Sequence, residues 1–142
     1  MRARTTAPFA DPLADPPAAA RELRFAGDSL GDVRQLVSDF SAQSGLTHER
    51  SAEFVTAVNE VATNSVRHGG GEGVLKLWTG AEWLLCDVAD RGSIADPLAG
   101  RRPARPEQRG GRGLWIANQI CDLVQVRSST DGTVVRLHLR RS

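Results

Sequence analysis

Lysine is almost absent from this chain of 142 residues: of its 18 lysines and arginines, only Lys76 is a lysine. A P-loop requires Gly-Lys-Ser/Thr, and the protein-kinase fold requires a lysine on one of its strands. The sequence excludes both kinds of phosphate site. A phosphate site in this chain would therefore use backbone N–H groups, arginine side chains or a metal ion.

Cysteine, histidine and long apolar runs are also scarce. Cys86 and Cys121 stand in apolar contexts without metal-ligand spacing, and the three histidines do not cluster, so we expect two buried thiols and no zinc site. No apolar run approaches the ~20 residues that span a bilayer. Prolines interrupt the N-terminus, which argues against a signal peptide. We therefore expect a cytoplasmic protein that does not contact a membrane.

The overall composition is that of a globular protein. Hydrophobic residues make up 40% of the chain and charged residues 25%, and the formal net charge is only +1. Without a basic field, we expect no direct contact with nucleic acid. Residues 1–20 are rich in alanine and proline, which predicts a disordered tail. Residues 21–142 are long enough for one domain with its own core.

The hydrophobic pattern predicts three helices and five strands. In the last strand Val135, Leu137 and Leu139 face one way and Val134, Arg136 and His138 the other, which is the pattern of a strand in a sheet with one buried face. We therefore expect an α/β (α+β) two-layer sandwich, in which about three helices cover one face of a mixed, mostly antiparallel sheet. Residues 91–110 have no usable period and predict a functional loop or lid. The expected strands lie near 23–25, 73–79, 82–89, 123–129 and 133–140, with a hairpin turn at Asp131-Gly132 between the last two. The expected helices lie at 30–44, 48–68 and 113–121. Asp28 or Ser29 is expected to cap the first helix and Thr47 the second, which stops at Gly69.

The helix expected at 48–68 carries two neighbouring stripes. On a helical wheel its apolar stripe includes Phe54, Val58 and Ser65, and the stripe beside it consists of Glu60, Asn64 and His68 at steps of four residues. A carboxylate and an amide at the edge of a core face can enter a pocket and still reach water. Because Mg²⁺ prefers oxygen ligands and keeps part of its water, one amide oxygen suits it. A solvated helix face is the alternative interpretation.

Two other patches suggest contacts with a nucleotide. A strand is expected to end at Asp90-Arg-Gly92, where a carboxylate can accept hydrogen bonds from the exocyclic amine of adenine and the glycine leaves room for the ring. A plain turn after the strand is the alternative. The sequence Gly110-Gly111-Arg112-Gly113 leads into an apolar helix. Exposed N–H groups and a helix N-terminus attract phosphate there, and Arg109 and Arg112 can add charge-assisted hydrogen bonds.

In this order and spacing, and with the closing Gly132-Thr133 as a fourth patch, the patches look like one ATP pocket and resemble the GHKL ATPases, whose ATP-binding domain has the Bergerat fold. They are most similar to the anti-sigma factor serine/threonine kinases of that family. The match covers roughly residues 21–141. One departure is Ile94, which stands where the family often has a second glycine. The resemblance implies that Glu60 is the catalytic base, that Asn64 binds Mg²⁺, and that ATP is bound by Asn64, His68, Asp90, Gly92, Arg109, Gly111, Arg112, Gly113, Leu114 and Thr133.

The resemblance also implies a function. The chain has no room for a phosphoacceptor or transducer domain, so we expect a domain that acts on other proteins. The family binds a sigma factor and phosphorylates an anti-anti-sigma protein of the STAS type, and it commonly forms homodimers. Two alternatives stay open: a binding module that uses ATP as a switch without phosphotransfer, and a regulatory fragment of a larger sensor.

Overall fold

A computed structural model of the chain describes residues 13–92 and 111–141, with only the backbone at residues 111 and 112. The expected helices and strands are all present within these ranges. Their bounds differ slightly from expectation, and the last helix begins at Gly111 instead of residue 113. In chain order they are β1 (Arg21–Ala26), α1 (Leu30–Gln43), α2 (His48–His68), β2 (Glu72–Thr79), β3 (Trp83–Asp90), α3 (Gly111–Ile120), β4 (Leu123–Ser129) and β5 (Gly132–Arg140).

The five strands form one sheet in the order β1-β2-β3-β5-β4. Each pair of neighbouring strands is antiparallel. The last residue of β3, Asp90, pairs with Thr133 near the start of β5. The end of β3 therefore lies beside the β4–β5 turn. The predicted fold class, a sheet covered on one face by helices, is confirmed.

Helix α2 lies at the centre of the helical layer, where it packs against α1, α3 and the sheet. Its apolar stripe is buried as the sequence predicts, and Phe54 and Val58 are fully buried. Alternate residues of β2, β3 and β5 meet this stripe, so the core lies between the two layers. Burying one such side chain stabilises the fold by about 1.5–3 kcal/mol. The strand residues on this face are Leu75, Leu77, Leu84, Cys86, Val88, Val135, Leu137 and Leu139.

Local hydrogen bonds explain where the helices begin and end. Thr47 caps α2 as expected, because its Oγ1 accepts a hydrogen bond from the backbone N–H of Arg50 at 3.2 Å. Ser29 precedes α1 but its side chain makes no cap hydrogen bond. Its Oγ instead accepts from the N–H of Ala26 at 2.8 Å. No helix within the described ranges has both the length and the apolar character that a bilayer span requires.

The sheet face opposite the helices, here called the open face, carries a buried ion pair. Arg136 donates to both carboxylate oxygens of Asp87, at 2.7 and 2.9 Å, and its guanidinium lies 5.0 Å from the ring centroid of Trp78. Only 7% of Arg136 and 5% of Asp87 are exposed. Lys76 belongs to the same row across the sheet, because its strand neighbour is Asp87.

Residues 13–17, here called the N-terminal strap, lie against the open face. The carbonyl of Ala14 accepts a hydrogen bond from Nη2 of Arg136 at 2.7 Å. Residues 1–12 of the expected tail lie outside the described ranges, and a domain boundary at residue 20 stays a prediction.

Candidate functional site

The carboxylate of Asp90 is oriented by a donor on each oxygen. Its Oδ2 accepts a hydrogen bond from Ser65 Oγ at 2.7 Å, and its Oδ1 accepts one from the backbone N–H of Gly92 at 2.8 Å. Hydrogen bonds to a charged acceptor are stronger than neutral ones. They fix the plane of the carboxylate at the end of β3, directly beneath the second half of α2.

Thr133 fastens the chain that follows β3. Its side chain is buried, and its Oγ1 donates to the carbonyl of Gly92 at 2.7 Å and lies 2.8 Å from Oγ of Ser128. Since Thr133 also pairs with Asp90 across the sheet, these contacts hold Gly92 next to the strand end. The two sequence patches expected to meet, Asp90-Arg-Gly92 and Gly132-Thr133, are therefore brought together.

Gly69 allows α2 to approach Asp90 closely. A Cβ at this position would lie 2.3 to 2.7 Å from the carboxylate atoms of Asp90, closer than real contacts allow. The carbonyl of Gly69 also accepts from the backbone N–H of Arg91 at 3.2 Å. The absence of a side chain at residue 69 thus permits the hydrogen bond between Ser65 and Asp90.

The polar stripe of α2 runs from α3 toward Asp90. Glu60 and Asn64 are half-buried, and His68 is exposed at the end of the helix. A Cβ at Gly113 would lie 3.0 Å from the carbonyl oxygen of Glu60, so the first turn of α3 packs directly on α2 at this level. The stripe therefore begins beside the N-terminus of α3, and Asn64 directly precedes Ser65, whose hydroxyl donates to Asp90.

The remaining predicted site residues are placed less completely. Gly111 and Arg112 belong to the first turn of α3 through their backbones. Leu114 is 1% exposed and its side chain is part of the core, so any contact with a nucleotide would come from its backbone. Arg109 and the expected lid beyond Gly92 lie outside the described residues.

In the part of the site that the structure describes, protein side chains alone form no metal cage. The described part of the chain contains no group of three or more His, Cys, Asp or Glu residues that could hold a metal ion. The donor set of α2, one amide and one carboxylate, fits a Mg²⁺ ion that takes most of its ligands from phosphates and water.

The two cysteines are inert. Burial raises the pKa of both thiols, and the neighbouring charge of Asp87 raises that of Cys86 further, as the charge of Asp122 does for Cys121.

Two residues of this site escaped the sequence analysis. Ser65 was assigned to the apolar stripe of α2, where it is indeed 2% exposed, but its hydroxyl reaches Asp90. Gly69 was interpreted only as the stop signal of the helix. A buried serine directly after Asn64 was the available signal, because a buried hydroxyl requires a hydrogen-bond partner.

The sequence of this chain is similar to those of several known proteins. Residues 24–139 match the family described as histidine kinase-like ATPase domain. An anti-sigma F factor from Thermoanaerobacter sp. (strain X514) is 30% identical over 128 residues, which cover 82% of this chain and 90% of the relative. The serine-protein kinase RsbW from Bacillus subtilis (strain 168) is 25% identical over 119 residues, 74% of each chain.

A solved structure shares the fold. It contains the RsbU and RsbW domains of a protein from Mycobacterium tuberculosis, with a TM-score of 0.63 and 20% identity. The similarity covers 84% of this chain and 32% of the solved chain, so this chain spans about a third of that protein.

Proposed function

We propose that this chain, which belongs to the histidine kinase-like ATPase domain family, binds ATP with Mg²⁺ and acts as an anti-sigma factor with serine/threonine kinase activity. The observation that carries the proposal is the carboxylate of Asp90, oriented by Ser65 and the N–H of Gly92 beneath the helix that carries Glu60 and Asn64. The similarity to an anti-sigma F factor and to RsbW kinases supports the same function.

Asp90 would recognise the base. A carboxylate accepts hydrogen bonds at about four positions, so the exocyclic amine of adenine can join the donors already present. Guanine presents an oxygen where adenine presents this amine, and two acceptors repel each other. The proposed site therefore prefers ATP to GTP, and Gly92 gives the ring access to the backbone.

The other end of the α2 stripe would hold the phosphates. The N-terminus of α3 lies beside Glu60 and offers backbone N–H groups and the positive end of a helix dipole. We assign phosphate contacts to the backbone of Gly111, Gly113 and Leu114 and to the side chains of Arg109 and Arg112. His68 lies two turns from Glu60 at the C-terminal end of α2, and we assign it a contact with the bound nucleotide at that end. Asn64 would give Mg²⁺ one oxygen ligand, and the ion when bound neutralises charge on the phosphates.

Glu60 would act as the general base. It accepts the proton of a substrate serine or threonine hydroxyl while that oxygen bonds to the γ-phosphorus and the bond from the phosphorus to the ADP oxygen breaks. Half-burial at the edge of the core face keeps Glu60 accessible to a protein substrate. We propose a STAS-type anti-anti-sigma protein as that substrate and a sigma factor as the sequestered partner, with a homodimer as the acting form.

Phosphotransfer from labelled ATP to candidate STAS-type proteins tests the proposal. The wild type should transfer phosphate only with Mg²⁺. Glu60→Gln should keep ATP binding but slow transfer by about 10²–10⁴-fold, as general-base contributions do. Glu53→Gln is the matched control, because it removes an exposed carboxylate two turns earlier on the same helix. Asn64→Ala should abolish the Mg²⁺-dependent part of ATP binding.

Two outcomes would contradict parts of this proposal. Transfer by Glu60→Gln at the wild-type rate would remove Glu60 as the base. If the wild type binds ATP and a sigma factor but phosphorylates no STAS-type protein, the chain is an ATP-dependent switch and not a kinase.

A further inference from the structure

The N-terminal strap completes the surroundings of a buried cation. Arg136 uses Nε and Nη2 for the two oxygens of Asp87, and Nη2 also donates to the carbonyl of Ala14 in the strap. The acceptor from the strap is a backbone carbonyl, which any peptide possesses. Recognition at this point therefore depends on the backbone of the occupant and not on its side chain.

Local features of the strap favour an extended conformation that ends in a turn. The N–H of Ala20 donates to the carbonyl of Pro17 at 3.0 Å, and this turn reverses the chain before β1. Pro16 and Pro17 fix their own φ angles, and proline restricts the residue before it to extended conformations. An extended segment that is stiff before it docks loses little conformational entropy when it binds.

The strap fills its groove incompletely. A cavity of about 450 Å³ lies between residues 13–16 and the strands β3, β4 and β5. Leu13 and Pro16 are only half-buried, and the side chains of Ala14 and Asp15 are exposed. The buried core contains no residue of the strap. Residues of β3, β4, β5 and the turn between the last two line the cavity together with the strap, and the space between them has room for larger side chains than the strap provides.

We propose that this groove is a peptide-docking site, which the chain occupies with its own strap and which an extended segment of a partner protein can take over. The competing segment has an apolar residue at the place of Leu13, a backbone carbonyl that accepts from Arg136, and a proline that keeps it extended. The docked strap shows that a segment of this kind fits the groove. Asp90 and Thr133, which the proposed function assigns to nucleotide binding, also line this groove, so the peptide titration is made without nucleotide and its outcome is separate from that of the phosphotransfer assay.

Competition in the full-length chain tests the proposal. A fluorescein-labelled peptide of residues 11–18 is titrated against the wild type and against Leu13→Asp, which places a charge at the apolar anchor of the strap. If the strap is docked in most molecules, a competing peptide can bind only the small fraction in which the strap is undocked, and its apparent affinity is reduced to that fraction of the intrinsic affinity. We expect Leu13→Asp to bind the peptide at least about tenfold more tightly than the wild type does.

Two controls accompany this titration. Ala19→Asp adds the same charge at an exposed residue of the turn and should bind the peptide like the wild type. A peptide that itself carries Leu13→Asp should bind neither protein. Equal binding of the unaltered peptide to wild type and Leu13→Asp, or to neither, would overturn the proposal. A dimer of Leu13→Asp that excludes the peptide would also overturn it, because the face would then bind a second copy of the chain.

Discussion

A methyl group added at residue 69 would collide with the carboxylate of Asp90. In Gly69→Ala the new Cβ would lie 2.3 Å from Cγ and 2.4 Å from Oδ2 of Asp90. Carbon atoms in ordinary contact are about 3.5 Å apart or more. Since Asp90 ends β3 and α2 is fixed by the core, the carboxylate itself has to move by about 1 Å.

The displacement should cost both stability and affinity for ATP. It breaks the hydrogen bond from Ser65, and a hydrogen bond to a charged group contributes about 1.5–3 kcal/mol. Steric strain adds about 1–3 kcal/mol, and the stiffer unfolded chain returns about 0.4–1 kcal/mol. We expect a loss of about 2–6 kcal/mol in the free energy of unfolding and a fall in Tm of roughly 10 °C or more. ATP binding should weaken by about 10- to 100-fold, because the proposed contact between Asp90 and the adenine amine is lost.

Thermal melts and calorimetric titration with ATP measure both effects. Gly80→Ala is the matched control, because no atom lies within 4 Å of a Cβ at that turn and its φ is not in the left-handed region. The control should melt and bind ATP like the wild type. Normal melting and normal ATP affinity in Gly69→Ala would refute the argument that the close approach of α2 sets the position of Asp90.

The other predictions concern single polar groups. Ser65→Ala should weaken ATP binding by up to about tenfold and reduce the preference for ATP over GTP, as measured by calorimetry. The reason is that the carboxylate of Asp90, which Ser65 orients, can then rotate. Arg136→Met should lower the free energy of unfolding by about 3–5 kcal/mol in urea, since Asp87 is left buried and unpaired; adding Asp87→Leu should restore most of the loss, and no recovery would contradict this account. Burial, and secondly the charge of Arg136, lower the pKa of His138 to about 4, below its ordinary value of about 6.5. Its neutral form therefore contributes stability that is complete above pH 6.5 and is lost as pH falls toward 4. His138→Gln should reduce this pH dependence of the free energy of unfolding by about 1–2 kcal/mol, after allowance for solvent screening.

Local patterns predicted the elements of this fold well. Thr47 was identified as a cap because its partner, the N–H of Arg50, is three residues away. The stop of α2 at Gly69 and the turn before Gly132 are equally local signals. Each depends on interactions between residues that are close in sequence, which a single chain displays directly.

Contacts between distant residues could not be predicted in this way. The helical wheel placed Ser65 on the core face, but its partner Asp90 is 25 residues further along the chain. The alternation of the last strand placed Arg136 opposite the core, and nothing local showed that it would be buried against Asp87, which is 49 residues away. The strand order, in which β5 lies between β3 and β4, also follows from packing and not from any local pattern.

Lys76 has a practical consequence for chemical labelling. Because it is the chain's single lysine, an amine-reactive reagent has one internal target besides the α-amine. Its side chain is 38% exposed and shares a row with Asp87 and Arg136 on the open face. A fluorophore or isotopic acetyl group attached there would report on the open face from one known position, without any change of residue.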